Sequence, residues 1–189
     1  MKQSWKPGTM IYPLPAVLVS CCGLDGRSNL ITVAWTGTVC TNPAMCYISV
    51  RPERYSYALI KESMEFTINL TTAGMARAVD WCGVRSGSEY DKWKETGLTP
   101  VAGEKVSCPY VAESPLSIEC RVREIVRLGS HDMFLAEVLN VLAEEDFIDS
   151  GTGAFDLGKA GLLNYSHGAY YGQGEKIGRF GWSVMKKKK

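Results

Sequence analysis

A mainly β fold, an antiparallel barrel with a few short helices inserted mid-chain, is what this 189-residue sequence predicts. Three observations carry that expectation. Apolar and polar residues alternate at period two on both sides of the chain's middle. Helix-type signals are confined to residues 53–97. The two long strand-like runs, 116–123 and 133–142, are joined by a Gly129-Ser130 turn rather than by a helix. Strands that follow one another without a βαβ rhythm argue for a barrel over a parallel sheet. With 46% apolar and 22% charged residues the composition is globular, and the length suits one domain over residues 1–189 with its own core.

Residues 10–22 read as an extended first strand, in which Pro13 and Pro15 keep the early part off central pairing. The segment 23–29 is dense in turn formers. Over 30–35, Ile31, Val33 and Trp35 fall on one face and Thr32 and Ala34, followed by Thr36, on the other, which is a strand pattern. A third strand, 45–50, is introduced by Asn42-Pro43. Pro52 suits the first position of a short helix over 53–61, where its missing N–H costs nothing. Residues 66–70 make another strand, Thr72 can cap a helix from Ala73 to Gly83, and Ser88-Glu89-Tyr90-Asp91 has a capping-box look for a helix ending before Gly97. Leu116, Ile118, Cys120 and Val122 alternate with Ser117, Glu119, Arg121 and Arg123; the phase slips at Glu124-Ile125 as a bulge would make it. Residues 151–158 then form a loop, 159–171 return to the core, and the glycine-rich 172–181 run over the surface.

The bulk numbers exclude several classes. A net charge of +1 with no basic stripe argues against nucleic acid and anionic membranes as partners. No apolar run approaches the roughly 20 residues of a membrane helix, and residues 1–8 lack a signal-peptide apolar stretch. The lysines 186–189 read as a solvated end. Seven cysteines, at 21, 22, 40, 46, 82, 108 and 120, are an odd count with no CxxC and no zinc-type spacing. The expected compartment is therefore the reducing cytoplasm, with thiols packing as small apolar groups. Residues 172–178 approach a dinucleotide fingerprint but have one residue too many and no following helix, and no P-loop occurs.

The stretch from Asn29 to Pro43 is the most informative. A strand ending at Trp35 gives way to Thr36, Gly37, Thr38 and Thr41, which let backbone N–H and C=O groups approach a flat polar ring while Trp35 supplies an apolar wall. A flavin, polar along one edge and hydrocarbon along the other, needs that combination; an unliganded turn fits the same letters. Across Ser49-Val50-Arg51-Pro52-Glu53-Arg54-Tyr55-Ser56 a strand runs into a helix start flanked by arginines. N–H groups, the positive end of the helix and guanidinium groups make an anion site there, with Arg51 the first candidate for a phosphate and Ser56 the second. The plain alternative is a solvated arginine pair. Lys92, flanked by the aromatic residues Tyr90 and Trp93, can reach a phosphate or lie idle at the surface. His131 starts a strand after a turn and can face a cleft, with Asp132 placed to set its tautomer; local hydrogen bonding is the other reading, and His167 is treated alike. Spacing assembles no Ser-His-Asp or Cys-His grouping.

Taken together, Asn29-Leu-Ile-Thr-Val-Ala-Trp-Thr-Gly37, Asn42-Pro43, Ile48-Ser-Val-Arg-Pro52, Phe66-Thr-Ile-Asn-Leu70 and Gly129-Ser-His-Asp132 resemble the flavin reductase-like, FMN-binding split-barrel family, nearest its flavoredoxin branch. Asp80-Trp-Cys-Gly83, Ser86-Gly87, Asp91-Lys92-Trp93, Ala112-Glu-Ser-Pro115 and Tyr165-Ser-His167 support the likeness along nearly the whole chain. The resemblance implies an antiparallel split β-barrel, one FMN per subunit and a homodimer whose interface helps form the flavin site. Carried over position by position, it implies that Asn29, Trp35, Thr36, Thr38 and Cys40 line the flavin ring or ribityl chain. Arg51, Ser56 and Lys92 hold the phosphate, and His131 and Tyr165 close the pocket. Ala34, Gly37, Ser49 and Val50 are further cofactor-binding positions. No side chain need act as acid or base, since hydride transfer belongs to flavin N5. NADH or NADPH is the expected hydride donor, and free flavin, ferric iron or a redox protein the acceptor. Two other readings stay open: an electron-transfer flavoprotein reduced by a partner, and a ligand-binding or assembly barrel without flavin.

Overall fold

The computed structural model describes residues 1–185, so the lysine tail expected to be a solvated end lies outside the described residues. Strands β1 (Leu14–Pro15), β2 (Val17–Cys22), β3 (Ser28–Val33), β4 (Thr36–Thr41) and β5 (Ala44–Val50) lead to helix α1 (Tyr55–Ser63). Then come β6 (Glu65–Asn69), α2 (Ala76–Val84), α3 (Lys92–Thr96), β7 (Pro100–Val101) and β8 (Tyr110–Val111). The long pair β9 (Leu116–Arg127) and β10 (Asp132–Ala143) is followed by β11 (Leu163–Ser166) and β12 (Ala169–Gly172). No helix among the described residues is long and apolar enough to cross a membrane.

Seven strands make one antiparallel sheet in the order β3-β2-β6-β9-β10-β5-β4. Period-two alternation turns Val17, Val19, Ile31, Val33, Ile48, Val50, Phe66, Ile68, Val122 and Phe134 into one shared buried cluster. Because β3 and β5 both feed that cluster, the sheet has curled until its two margins approach, as in a split barrel. Leu59 and Ile60 of α1 pack into the same interior. On the outer side of β2 and β3, Leu18 and Leu30 meet Val79 and Cys82 of α2 together with Val111 and Leu163. Every residue of β2 is buried, since helices and strands cover both of its faces. A separate three-stranded sheet, β1-β11-β12, brings the segment 159–171 back onto the body as expected.

Several boundaries differ from the sequence reading, each for a local reason. The second strand spans Ser28–Val33, and Ala34 and Trp35 form the bend that follows it. Residues 36–41, read as a small-residue turn, form β4 because they find the open edge of β5. Helix α1 starts at Tyr55 rather than at residue 53: the Arg54 N–H donates to the Arg51 carbonyl at 3.0 Å, closing a turn that contains Pro52. Thr72 makes no side-chain cap, and a single 3₁₀ turn (Ala73–Met75) precedes α2, which runs one residue past Gly83. Asp91, not Ser88, caps α3, accepting from the amides of Trp93 and Lys94, while the Ser88 hydroxyl pairs with that of Ser86. The slip expected at Glu124-Ile125 occurs one residue earlier: Glu124 opposes Leu135 and Val122 opposes Ala136, leaving Arg123 extra.

Candidate cofactor site

Antiparallel register builds the site. Val50 lies opposite Asp132, so Arg51, just beyond β5, comes beside His131, just before β10. β3 adds Asn29 and Ile31 from the other side, and the 51–54 turn delivers the start of α1. Two adjoining cavities result. The first, about 390 Å³, is lined by Asn29, Arg51, Arg54, Ser56, Arg85 and Lys92, among others, and by itself falls in the roughly 300–1,000 Å³ span of small-molecule sites. The second, about 230 Å³, shares Ile31, Arg51 and Arg54 with it and is lined by Ala34, Trp35, Ser49, Val50, His131 and Tyr165.

The first cavity is a cationic cup. Lys92 opens α3, is 3% exposed, and donates to the Cys82 carbonyl at 2.7 Å near the end of α2. Burial pulls its ammonium below the usual lysine range, and Arg54 adds like-charge repulsion while the Cys82 thiol opposes both. A buried ammonium whose one hydrogen-bond partner among the described residues is a carbonyl attracts an anion. Asn29, also buried, donates through Nδ2 to Ser56 Oγ at 2.8 Å and so orients that hydroxyl in the first turn of α1, at the positive end of the helix. Arg85 is steadied over the Tyr90 ring at 5.5 Å. Among the described residues Glu53 is the one carboxylate lining this cavity, and it is engaged with Arg51 at 3.4 Å on the exposed rim. Burial pushes Cys82 up to about 11 and Cys21, behind Ser56, up to about 12, so neither thiol is a thiolate near neutrality.

The second cavity is an aromatic shelf. The Trp35 and His131 rings lie 4.3 Å apart at 40°, and the Ser49 N–H donates to the Trp35 carbonyl at 2.8 Å, pinning the bend. Burial, then Arg51 and Arg54, hold His131 below the ordinary histidine range. Ser130 Oγ meets His131 Nδ1 at 2.9 Å, whereas Asp132 accepts from the Tyr57 hydroxyl at 2.6 Å. Asp132 therefore does not set the His131 tautomer, because consecutive residues at a strand start face opposite sides. Tyr165 packs against Tyr170 at 5.7 Å and Tyr12 at 6.2 Å. His167 is exposed in the β11–β12 turn and lines neither cavity.

The structure thus gathers Asn29, Ala34, Trp35, Ser49, Val50, Arg51, Ser56, Lys92, His131 and Tyr165 around one continuous cleft. It does not bring Thr36, Gly37, Thr38 or Cys40 to that cleft within the chain. Pairing of β4 with β5 carries them progressively away from Arg51: Thr36 opposes Ile48, while Thr38 opposes Cys46. Thr36 is buried with its hydroxyl on the Tyr47 carbonyl at 2.6 Å, and Gly37 lies under the Tyr47 ring. Arg54, the second arginine of the helix-start pair, lines the cup as well, and Arg85 joins it without having been singled out. Beside Arg85, a Cβ on Gly87 would sit 2.3 Å from Asn29 Oδ1, so only glycine lets that segment close over Asn29.

The sequence matches the family described as flavin reductase like domain over residues 9–173. In structure it is similar to the flavoredoxin of Desulfovibrio vulgaris (Miyazaki F), with a TM-score of 0.90 and 32% identity, over 98% of this chain and 100% of that one. The flavoredoxin of Methanosarcina acetivorans gives a TM-score of 0.87 and 28% identity over 98% and 100%. An FMN-binding protein from Thermus thermophilus, at 24% identity over 95% and 99% with a TM-score of 0.80, shares the fold. A match over most of the length, on a split barrel with an anion cup beside an aromatic shelf, places this chain in the flavin reductase-like family.

Proposed function

We propose that the protein is an FMN-binding oxidoreductase whose cleft holds the FMN phosphate in the cup and the flavin ring on the shelf. The observation that carries this reading is Lys92: a lysine 3% exposed, without a carboxylate partner among the described residues, beside Arg51 and the start of α1. The residues fit such a group at both ends. Arg51, Ser56 and Lys92 offer charge-assisted and hydroxyl contacts for a phosphate. Trp35, Tyr165 and the His131 ring offer an aromatic surface for the ring system. Arg51 lines both cavities and so stands at the junction between them.

When bound, FMN would supply the hydride and electron chemistry, which asks orientation and electrostatics of the protein rather than an acid or base. Asn29 fixes the Ser56 hydroxyl, and Ser49 holds the Trp35 bend. His131, held below the ordinary histidine range by burial and Arg51, lines the shelf with its Nδ1 engaged by Ser130 Oγ. NADH or NADPH is the proposed hydride donor, and a small molecule or redox protein the acceptor. The likeness to two flavoredoxins favours a second reading, an electron carrier reduced by a partner protein. A homodimer and a cytoplasmic location belong to the same proposal. Anaerobic reduction separates the readings: protein reconstituted with FMN should bleach near 450 nm, roughly the flavin band, under NADH or NADPH if it is a reductase. Bleaching by dithionite but by neither nucleotide selects the carrier, and protein that takes up no FMN overturns both. Light scattering in solution tests the dimer.

A further inference from the structure

Two pairs of cysteines lie close together, and they differ in access. Cys22, the last residue of β2, has its Sγ 3.0 Å from that of Cys108, 86 residues further on. Cys46 and Cys120 are 3.5 Å apart and as buried, at 6% and 0% exposed, but they pack in the barrel cluster and line neither cavity of the cofactor site. Cys22 instead lines a separate cleft of about 500 Å³ with Gly23, Ser63, Glu65, Ser107 and Pro109, away from Arg51 and Trp35. It is 5% exposed and Cys108 beneath it 0%, so a reagent entering that cleft meets Cys22 first.

We propose that Cys22 and Cys108 form a reversible dithiol–disulfide couple that exchanges with low-molecular-weight disulfides through this cleft. The segment bearing Cys108 is anchored on both sides. The Glu104 and Lys105 amides donate to the buried Glu119 carboxylate at 2.6 and 3.1 Å, and the Ser20 hydroxyl donates to the Pro109 carbonyl. Closing the bond to its usual length of about 2.05 Å therefore asks a shift of only about 1 Å. Its place on the cleft wall marks Cys22 as the attacking sulfur, and the hydrogen bond between the two thiols acts in the same sense, lowering Cys22 and raising Cys108.

The exchange runs in two displacements. The Cys22 thiolate attacks one sulfur of the reagent RSSR, forming the mixed disulfide Cys22–S–S–R and releasing RS⁻, which takes up a proton. Cys108 then loses its proton to solvent and attacks Cys22 Sγ, expelling a second RS⁻ that is protonated in turn. Two electrons pass from the protein dithiol to the reagent, giving one protein disulfide and two RSH.

The full-length protein, incubated with hydroxyethyl disulfide, alkylated under denaturing conditions and mapped by mass spectrometry, tests this. The expected result is a linked Cys22–Cys108 peptide with the other five of the seven cysteines alkylated, and full reversal by dithiothreitol. Cys108→Ser should stall as a mixed disulfide on Cys22, and Cys22→Ser should slow the first reaction at least about tenfold. Seven alkylated cysteines in the wild-type protein, or linkage of Cys46 to Cys120 instead, would overturn the proposal. It stands independently of whether FMN binds.

Discussion

The cup and the shelf meet at Arg51 and Arg54, yet they hold their side chains by different means. In the cup, Asn29, Ser56 and Lys92 are each no more than 3% exposed and fixed by hydrogen bonds to Ser56 Oγ and the Cys82 carbonyl. On the shelf, Trp35, His131 and Tyr165 are only half-buried and are held by ring contacts and one backbone hydrogen bond. A buried, uncompensated cation is a standing free-energy cost that an anion relieves, whereas a half-open ring surface gains only what stacking adds. The comparison says that affinity resides in the cup and that orientation resides on the shelf.

Lys92→Met tests the cup most severely. FMN affinity should fall by about a hundredfold, near 2.7 kcal/mol, by fluorescence titration. Stability of the apoprotein in urea should change by no more than about 1 kcal/mol, because a buried charge with a carbonyl partner is replaced by an apolar chain. Gly87→Ala acts on the same end through Asn29: the added Cβ meets Oδ1 at 2.3 Å, so the apoprotein should lose about 1–3 kcal/mol of stability and FMN binding should weaken with it.

The shelf should respond more mildly. Trp35→Ala is expected to weaken FMN about tenfold, while inorganic phosphate competes as well as it does in the wild-type protein; equal losses for both ligands would merge the two ends into one. His131 gives the smallest effect. Its folded pKa lies below the unfolded 6.5, so stability is lost as pH falls from 6.5 to the lowered value and is constant on either side. Urea midpoints between pH 7.5 and 5, about one unit or more either side of the ordinary histidine value, should fall less in His131→Gln than in the wild-type protein.

The strand framework was legible because β5 and the first half of β10 bury one face and alternate cleanly, while β3 and β9 keep a period-two apolar pattern in sequence although β3 is covered on both faces. The cup was legible at Arg51, Ser56 and Lys92, where strand end, helix start and a cation coincide in a few residues. Arg85 was not, since it reaches the cup only through the packing of α2 and α3 on the outer face of β3, which no local pattern encodes. β4 escaped for the opposite reason: Thr36, Gly37 and Thr38 look like a ligand-facing turn until an open strand edge recruits them. Asp132 was misassigned to His131 because sequence adjacency hides that neighbouring strand residues face apart; its partner, Tyr57, arrives from α1.

FMN titration of the wild-type protein against Arg51→Ala/Ser56→Ala, followed by flavin fluorescence, interrogates the anion cup directly. Loss of one charge-assisted and one hydroxyl contact should weaken binding by about two orders of magnitude. Equal affinity in the two proteins would contradict the placement of the phosphate between β5 and α1.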